Sequence, residues 1–265
     1  MKFFFGKKTL ILFVLLLLFL NRNELVAQYK YDFKQFGEES VDFLKLPTQW
    51  SGKDFLTLSA VAAATVGLMF LDNSAKTALQ KDLSYQKSFP VEFGRWWGEP
   101  LITGVVGGLF LLQGALGENT PNKRIGFEIL QSGIYAGGTV FLLKTIIGRA
   151  RPFTGNDQFT FDPFHFSGGD FWSLPSGHTA LAFSFSTIIS KNVNSTFWKV
   201  IAYIPAILTA FSRVYQNYHW ASDVFLGGAI GYFIASYVHE SHKTASGFQV
   251  NFFNSSNLIN VSFKF

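Results

Sequence analysis

The sequence predicts an all-α protein, a six-helix transmembrane bundle with an N-terminal signal segment and a short C-terminal β-hairpin-like tail. Three observations carry that expectation. Hydrophobic residues make up 48% of the 265 and charged residues only 15%, against about a quarter charged in soluble domains, so too few charges exist to cover a water-facing surface. Beyond residue 52 the apolar residues fall into six runs, separated by short segments rich in Gly, Asn, Pro and charge. In the tail, positions 247–265, the pattern changes to alternation of apolar and polar residues.

Residues 1–27 are expected to form a signal peptide. Lys2, Lys7 and Lys8 make a positive region, residues 9–20 an apolar stretch, and Leu25-Val26-Ala27 a cleavage site before Gln28. The apolar stretch is shorter than the ~20 residues a membrane span prefers. Beyond this segment 18 Lys and Arg face 16 Asp and Glu, a net charge of +2 against +5 for the whole chain. The basic balance thus belongs mostly to the export segment, and no nucleic-acid partner is implied. The absence of cysteine excludes disulfides, thiolate catalysis and cysteine metal sites. A chain of this length holds one helical membrane domain and no second catalytic domain.

Residues 28–52 read as an amphipathic lead-in lying along the membrane surface. The helical membrane domain is expected over 53–242 and the tail over 243–265. Spans are expected at 55–71, closed by Asp72, and at 101–116, 125–147, 179–190, 197–211 and 220–238; Ser176 caps the fourth. Several are short and rich in Gly, Ala and Ser, as in closely packed membrane helices. Trp96 and Trp97 stand where an interfacial aromatic belt would sit. In the tail, Phe248, Val250 and Phe252 alternate with polar residues, Asn254-Ser255-Ser256-Asn257 supplies turn chemistry, and Ile259, Val261, Phe263 and Phe265 alternate again.

Three polar stretches interrupt this hydrophobic chain: Lys144 to Pro152, Leu174 to His178, and Ser212 to Asp223. On the six-span reading all of them fall on one face of an up-and-down bundle. Ionisable groups are expensive in a bilayer, so their collection at one rim marks function. Lys144 and Arg151 are seven residues apart, two helical turns, and Pro152 disfavours helix at Arg151, releasing its guanidinium into a loop. Arg213 approaches from another helix. Guanidiniums grip phosphate oxygens in bidentate fashion, and a lysine adds a point charge. Ser176-Gly177-His178 opens a helix whose free backbone donors favour an anion, with His178 available as a general acid. His219 and Asp223, four apart, pair a nucleophilic imidazole with the carboxylate that orients it.

Each group has a plainer reading when taken singly. Any one cation can be a snorkelling flank residue, Ser176 a simple cap, and the His219–Asp223 pair a structural contact. Arg149 is assigned that flank role, His165 a loop, and His239 and His242 a solvated role beside the last span. The aromatic loop 154–172, with Phe159, Phe161, Phe164, Phe166, Phe171 and Trp172, fits either lipid headgroups or packing between helices.

Together, K-x6-R-P (Lys144, Arg151), P-S-G-H (Ser176, Gly177, His178) and S-R-x5-H-x3-D (Arg213, His219, Asp223) resemble the type 2 phosphatidic acid phosphatase superfamily, which also holds vanadium haloperoxidases and bacterial non-specific acid phosphatases. Residues 28–143 match only in being apolar and helical. The resemblance implies a membrane phosphatase that uses no metal or other cofactor. Lys144, Arg151, Ser176, Gly177 and Arg213 would bind phosphate, His219 would attack phosphorus, Asp223 would orient it and His178 would protonate the leaving alcohol. The expected substrate is a lipid phosphate monoester or diphosphate, of phosphatidate, phosphatidylglycerophosphate, polyprenyl diphosphate or lipid A type. Vanadate-dependent haloperoxidation or non-specific acid phosphatase activity is the alternative in the same pocket, and a non-catalytic scaffold or transporter the alternative of another class. Transport, however, places polar groups near mid-membrane rather than at a rim.

Orientation is in conflict. A cleaved signal leaves residue 28 outside, and six spans then carry the active rim to the cytoplasm. Lys45, Lys53, Lys123, Arg124, Lys191 and Lys199 flank the opposite ends, which favours an outward-facing site, as does the likeness to bacterial lipid phosphatases. An integral protein of a bacterial-type cell membrane with an extracytoplasmic site is expected.

Overall fold

A computed structural model describes residues 30–117, 120–244, 248–251 and 260–263. The expected signal segment and the turn of the expected hairpin lie outside the described residues. The chain is mostly helical. Its ten α-helices among the described residues are α1 Phe33–Gln49, α2 Gly52–Met69, α3 Asp72–Leu79, α4 Phe89–Trp97, α5 Pro100–Leu116, α6 Thr120–Ile147, α7 Gly177–Lys191, α8 Thr196–Ile201, α9 Ile204–Tyr215 and α10 Ala221–Thr244. In the tail, β1 (Phe248–Asn251) pairs antiparallel with β2 (Asn260–Phe263), with Phe248 opposite Phe263.

Local chemistry sets the helix starts. Asp32 caps α1 by accepting the Gln35 backbone N–H, and the Asp54 carboxylate takes the Ser51 N–H at 2.8 Å ahead of α2. Proline stands in the first turn of α4, α5 and α9, where its missing N–H costs nothing. Three stretches are long and apolar enough to cross a membrane: α6, α8 with α9 as one unit, and α10. Two bent pairs bring the number to five, with α2 and α3 meeting at 56° and α4 and α5 at 64°. Each of the six expected spans falls on helix, but the two bends were not foreseen.

α7 is the hub. It packs against α4, α5, α6, α9 and α10, and every residue from Thr179 to Ser190 except Phe183 is buried. Its crossing with α10 is close: a Cβ at Gly231 would stand 2.1 Å from the Ala180 carbonyl oxygen. Trp97 is stacked on Phe185 with ring centroids 4.7 Å apart and donates to Ser186 Oγ at 3.1 Å. It is therefore a core residue and not a member of an interfacial belt, because the bend after α4 turns it inward. The outer faces keep Leu56, Leu101, Leu112, Ile134, Phe141, Ile207 and Phe233 exposed, the side a hydrocarbon solvent would cover.

α1 lies against α6 and α10. Phe43 stacks on Tyr135 at 4.2 Å, and Glu39 meets His242 at 3.2 Å. Here the solvated role expected for His239 and His242 is wrong: both are buried, with Nδ1 at 2.9 and 3.2 Å from the carboxylate of Glu128 on α6. α1 covers this end of the bundle, and a buried carboxylate requires such partners.

Candidate active site

Helix α6 stops at Ile147 because Gly148 adopts φ +57, a left-handed conformation that favours glycine. A Cβ there would also fall 1.7 Å from the Asp162 carbonyl oxygen. The turn sends residues 149–176 back across the bundle end and delivers Ser176 to the N-cap of α7. α9 ends with Arg213 in its last turn, and α10 begins just after His219 with Asp223 in its first turn. All three motifs thereby reach one end of the molecule.

A cavity of about 350 Å³ opens there, lined by Arg95, Glu99, Lys144, Arg151, Gly177, His178, Arg213, Tyr218 and His219. Six of the eight residues expected from sequence therefore share one cavity. Ser176 and Asp223 do not line it. They lie directly behind, fully buried, with the Ser176 N–H donating to the Asp223 carbonyl at 2.9 Å. Ser176 Oγ makes no cap bond and instead accepts from Thr179 Oγ1 at 3.0 Å.

The cations are held by carbonyl oxygens. Lys144 Nζ donates to the carbonyls of Trp172 and Ser173. Arg151 Nε reaches the Gly169 carbonyl at 3.0 Å, and its Nη1 the Tyr218 carbonyl at 3.4 Å. Arg213 stacks over the Tyr218 ring at 4.8 Å and donates to Gln216 Oε1, while its Nε has no hydrogen-bond partner. Three positive groups thus converge with donor capacity still unspent, the requirement for holding an anion.

His219 Nδ1 stands 3.5 Å from Asp223 Oδ2. That is an electrostatic contact, too long for a firm hydrogen bond, and Nδ1 has no nearer partner. Burial pushes the His219 pKa well below the usual histidine value, and Lys144 and Arg151 push the same way against the opposing Asp223. The imidazole is therefore neutral, with a free lone pair. Asp223 is itself fastened by Ser173 Oγ (2.5 Å) and the Trp220 backbone N–H (2.8 Å) on Oδ2, and by Arg149 Nη1 (2.6 Å) on Oδ1.

Arg149 corrects the flank role expected for it. It is 0% exposed and also binds Asp72 Oδ2 (2.8 Å), Ser222 Oγ (2.7 Å) and the Gln158 carbonyl (2.9 and 2.7 Å). Asp72, at the α2–α3 bend, takes Ser222 N and Oγ in turn. Sequence reasoning also missed Arg95, Glu99 and Tyr218. A carboxylate and a guanidinium four apart beside a glycine–proline break were the only signal. Phe159, Phe161, Phe164 and Phe166 stay exposed beside the rim. Among the described residues no three His, Asp or Glu side chains converge in a way that could hold a metal ion.

The sequence pattern of the PAP2 superfamily matches residues 126–246. The chain is 44% identical over 61 residues to a lipid A 1-phosphatase of Porphyromonas gingivalis, covering 22% of this chain and 14% of that protein. It is 26% identical over 114 residues to an undecaprenyl-diphosphatase of Sulfolobus acidocaldarius, covering 43% and 53%. A lipid A 1-phosphatase of Rhizobium etli is 29% identical over 202 residues, covering 70% and 82%. The chain thus matches less than two thirds of the length of the first two relatives. All three motifs fall inside the matched segment, and at least three helices are apolar and long enough to cross a bilayer. The pattern of the PAP2 superfamily thus covers residues 126–246, all three motifs included, in a chain whose apolar helices fit an integral membrane protein.

Proposed function

We propose that the chain is a lipid phosphatase that hydrolyses a lipid phosphate monoester or diphosphate through a phosphohistidine intermediate. The observation that carries it is the convergence of Lys144, Arg151 and Arg213 with His178 and the neutral His219 in one cavity at the bundle end. Phosphoryl transfer demands little of a protein beyond positioning and charge stabilisation, and this cavity offers both.

In the proposed cycle the three cations and the N-terminus of α7, at Gly177, hold the phosphoryl oxygens. The cavity-facing nitrogen of His219 donates its lone pair to phosphorus. The P–N bond forms as the P–O bond to the lipid breaks, and the departing oxygen takes a proton from the His178 imidazolium. Asp223 supports the positive charge that develops on His219. A water then attacks phosphorus, gives its proton to His178, and releases inorganic phosphate and the restored His219. Ser176 acts from behind the cavity by shaping the start of α7.

A six-span domain over residues 53–242 accompanies this reading, with α7 as the sixth span beside the five apolar candidates, and a hairpin tail follows. α7 is only 15 residues long, about 22 Å, but it is walled by neighbouring helices rather than by lipid. We place the active rim on the extracytoplasmic face of a bacterial-type membrane. Supporting this, Lys123, Arg124, Lys191 and Lys199 sit on the ends of α6, α7 and α8 remote from the cavity. The exposed phenylalanines of loop 154–172 would lie at headgroup level, and relatives named for lipid A and undecaprenyl diphosphate are in keeping with a lipid substrate.

The test is phosphate release from a panel of lipid phosphates in mixed micelles, by wild type and His219→Ala. The expected result is turnover by wild type and a loss of at least about 10³-fold in the variant, with its melting temperature unchanged. A folded His219→Ala protein that still releases phosphate at the wild-type rate would remove the mechanism.

A further inference from the structure

The cavity contains one carboxylate, Glu99, in a place where an anion-binding site would be expected to exclude it. Glu99 is the N-cap residue of α5 at the bend after α4, and its side chain makes no capping bond. Instead, Oε1 lies 3.5 Å from His178 Nε2 and accepts from Arg95 Nη1 at 3.2 Å. The approach depends on Gly98: a Cβ there would stand 2.6 Å from the His178 carbonyl oxygen, so only glycine lets this bend reach the start of α7.

Glu99 is not held by Arg95 alone. Arg95 Nε and Nη2 donate to Glu92 Oε2 at 3.2 and 2.9 Å, Glu92 Oε1 accepts from Gln216 Nε2 at 3.2 Å, and Gln216 Oε1 accepts from Arg213 Nη2. A continuous polar frame therefore runs from His178 through Glu99, Arg95, Glu92 and Gln216 to Arg213. Three of its members, Glu92, Arg95 and Glu99, precede the segment that matches the superfamily pattern, so the three motifs do not account for them.

We propose that Glu99 is a positioning residue that orients His178 and favours its protonated form against burial and the neighbouring cations, with Arg95 and Glu92 fixing the carboxylate. The inference rests on the phosphatase reading above. Lys144, Arg151, Arg213 and Arg95 share the cavity with His178, as does the neutral His219; burial, Arg213 and Lys144 push the His178 pKa down to about 4, and Glu99 is the group that opposes them. The proton that His178 delivers goes to the departing lipid oxygen and returns from the attacking water. Esters of poor leaving groups need this proton most.

The test compares wild type, Glu99→Gln and Glu99→Asp on a lipid phosphate and on p-nitrophenyl phosphate, whose phenolate departs without help. Limb positions in a pH profile do not depend on how much of each preparation is folded. For Glu99→Gln the alkaline limb of kcat should move to lower pH by about one unit or more. The loss of kcat should be at least tenfold greater on the lipid phosphate than on p-nitrophenyl phosphate, and Glu99→Asp should keep the wild-type limb. An unmoved limb in Glu99→Gln, equal losses on the two substrates, or a limb in Glu99→Asp shifted as far as in Glu99→Gln would each overturn the proposal. His219→Ala is run beside them: if it retains activity, the phosphatase mechanism itself fails, whereas a dead His219→Ala with an unmoved Glu99→Gln limb defeats only the role of Glu99.

Discussion

Replacing Arg149 by methionine should destabilise the protein more than any change to a cavity-lining cation. The guanidinium is wholly buried and neutralises two carboxylates that are themselves buried, Asp72 at 2.8 Å and Asp223 at 2.6 Å. Methionine fills most of the volume and supplies none of the charge. Removing one partner of a buried pair leaves the other desolvated, at a cost of about 3–5 kcal/mol. At roughly 2–4 °C per kcal/mol for a chain of this size, the melting temperature in detergent should fall by about 6–20 °C. Arg149 joins the α2–α3 bend to the start of α10, so tryptic cleavage in residues 72–90 should accelerate in parallel. Adding Asp72→Asn to Arg149→Met should recover part of the loss, because one stranded charge has been removed, and a double-mutant cycle would measure the coupling. An Arg149→Met protein melting within 2 °C of wild type would refute the assignment of this residue as the electrostatic tie between the α2–α3 bend and the start of α10.

The His219 pKa is held down by burial, so the nucleophile stays neutral through the ordinary histidine range. The acid limb of kcat/KM should lie below about pH 6.5, and a limb at or above that value contradicts the buried imidazole. The same shift acts on folding: the unfolded chain takes up a proton on His219 as pH falls through about 6.5 while the folded chain does not, so stability should decline below that pH. Asp223→Asn should lower kcat by about 10²–10⁴-fold through loss of the charge and tautomer that serve His219, measured as phosphate release per folded protein, and should also lower the melting temperature because the buried Arg149 loses one of its two carboxylates.

The site was legible because its residue types are chemically unusual in such an apolar chain and recur at helical spacing. Lys144, Arg151, His178, Arg213 and His219 could be placed at one bundle end from the order of spans alone. What local sequence could not show was distance across the chain. Arg149 looks like a flank cation because Asp72 and Asp223, its partners, lie 77 and 74 residues away. Glu99 and Arg95 sit at a helix bend whose angle no periodicity records. His239 and His242 seemed solvated at the end of the last apolar run. The clue was Glu128, the lone carboxylate of another apolar run, which had to find buried partners. Ser176 was expected to bind phosphate and lies buried behind the cavity, where Gly177 at the start of α7 lines the wall instead.

The most direct measurement is rapid quenching of the purified protein during turnover of a ³²P-labelled lipid phosphate, followed by mapping of the labelled peptide. Label on the peptide containing His219, stable in base, lost in acid and absent from His219→Ala, is the predicted result. Steady turnover with no label trapped at His219, or the same label in His219→Ala, would contradict nucleophilic attack by that imidazole.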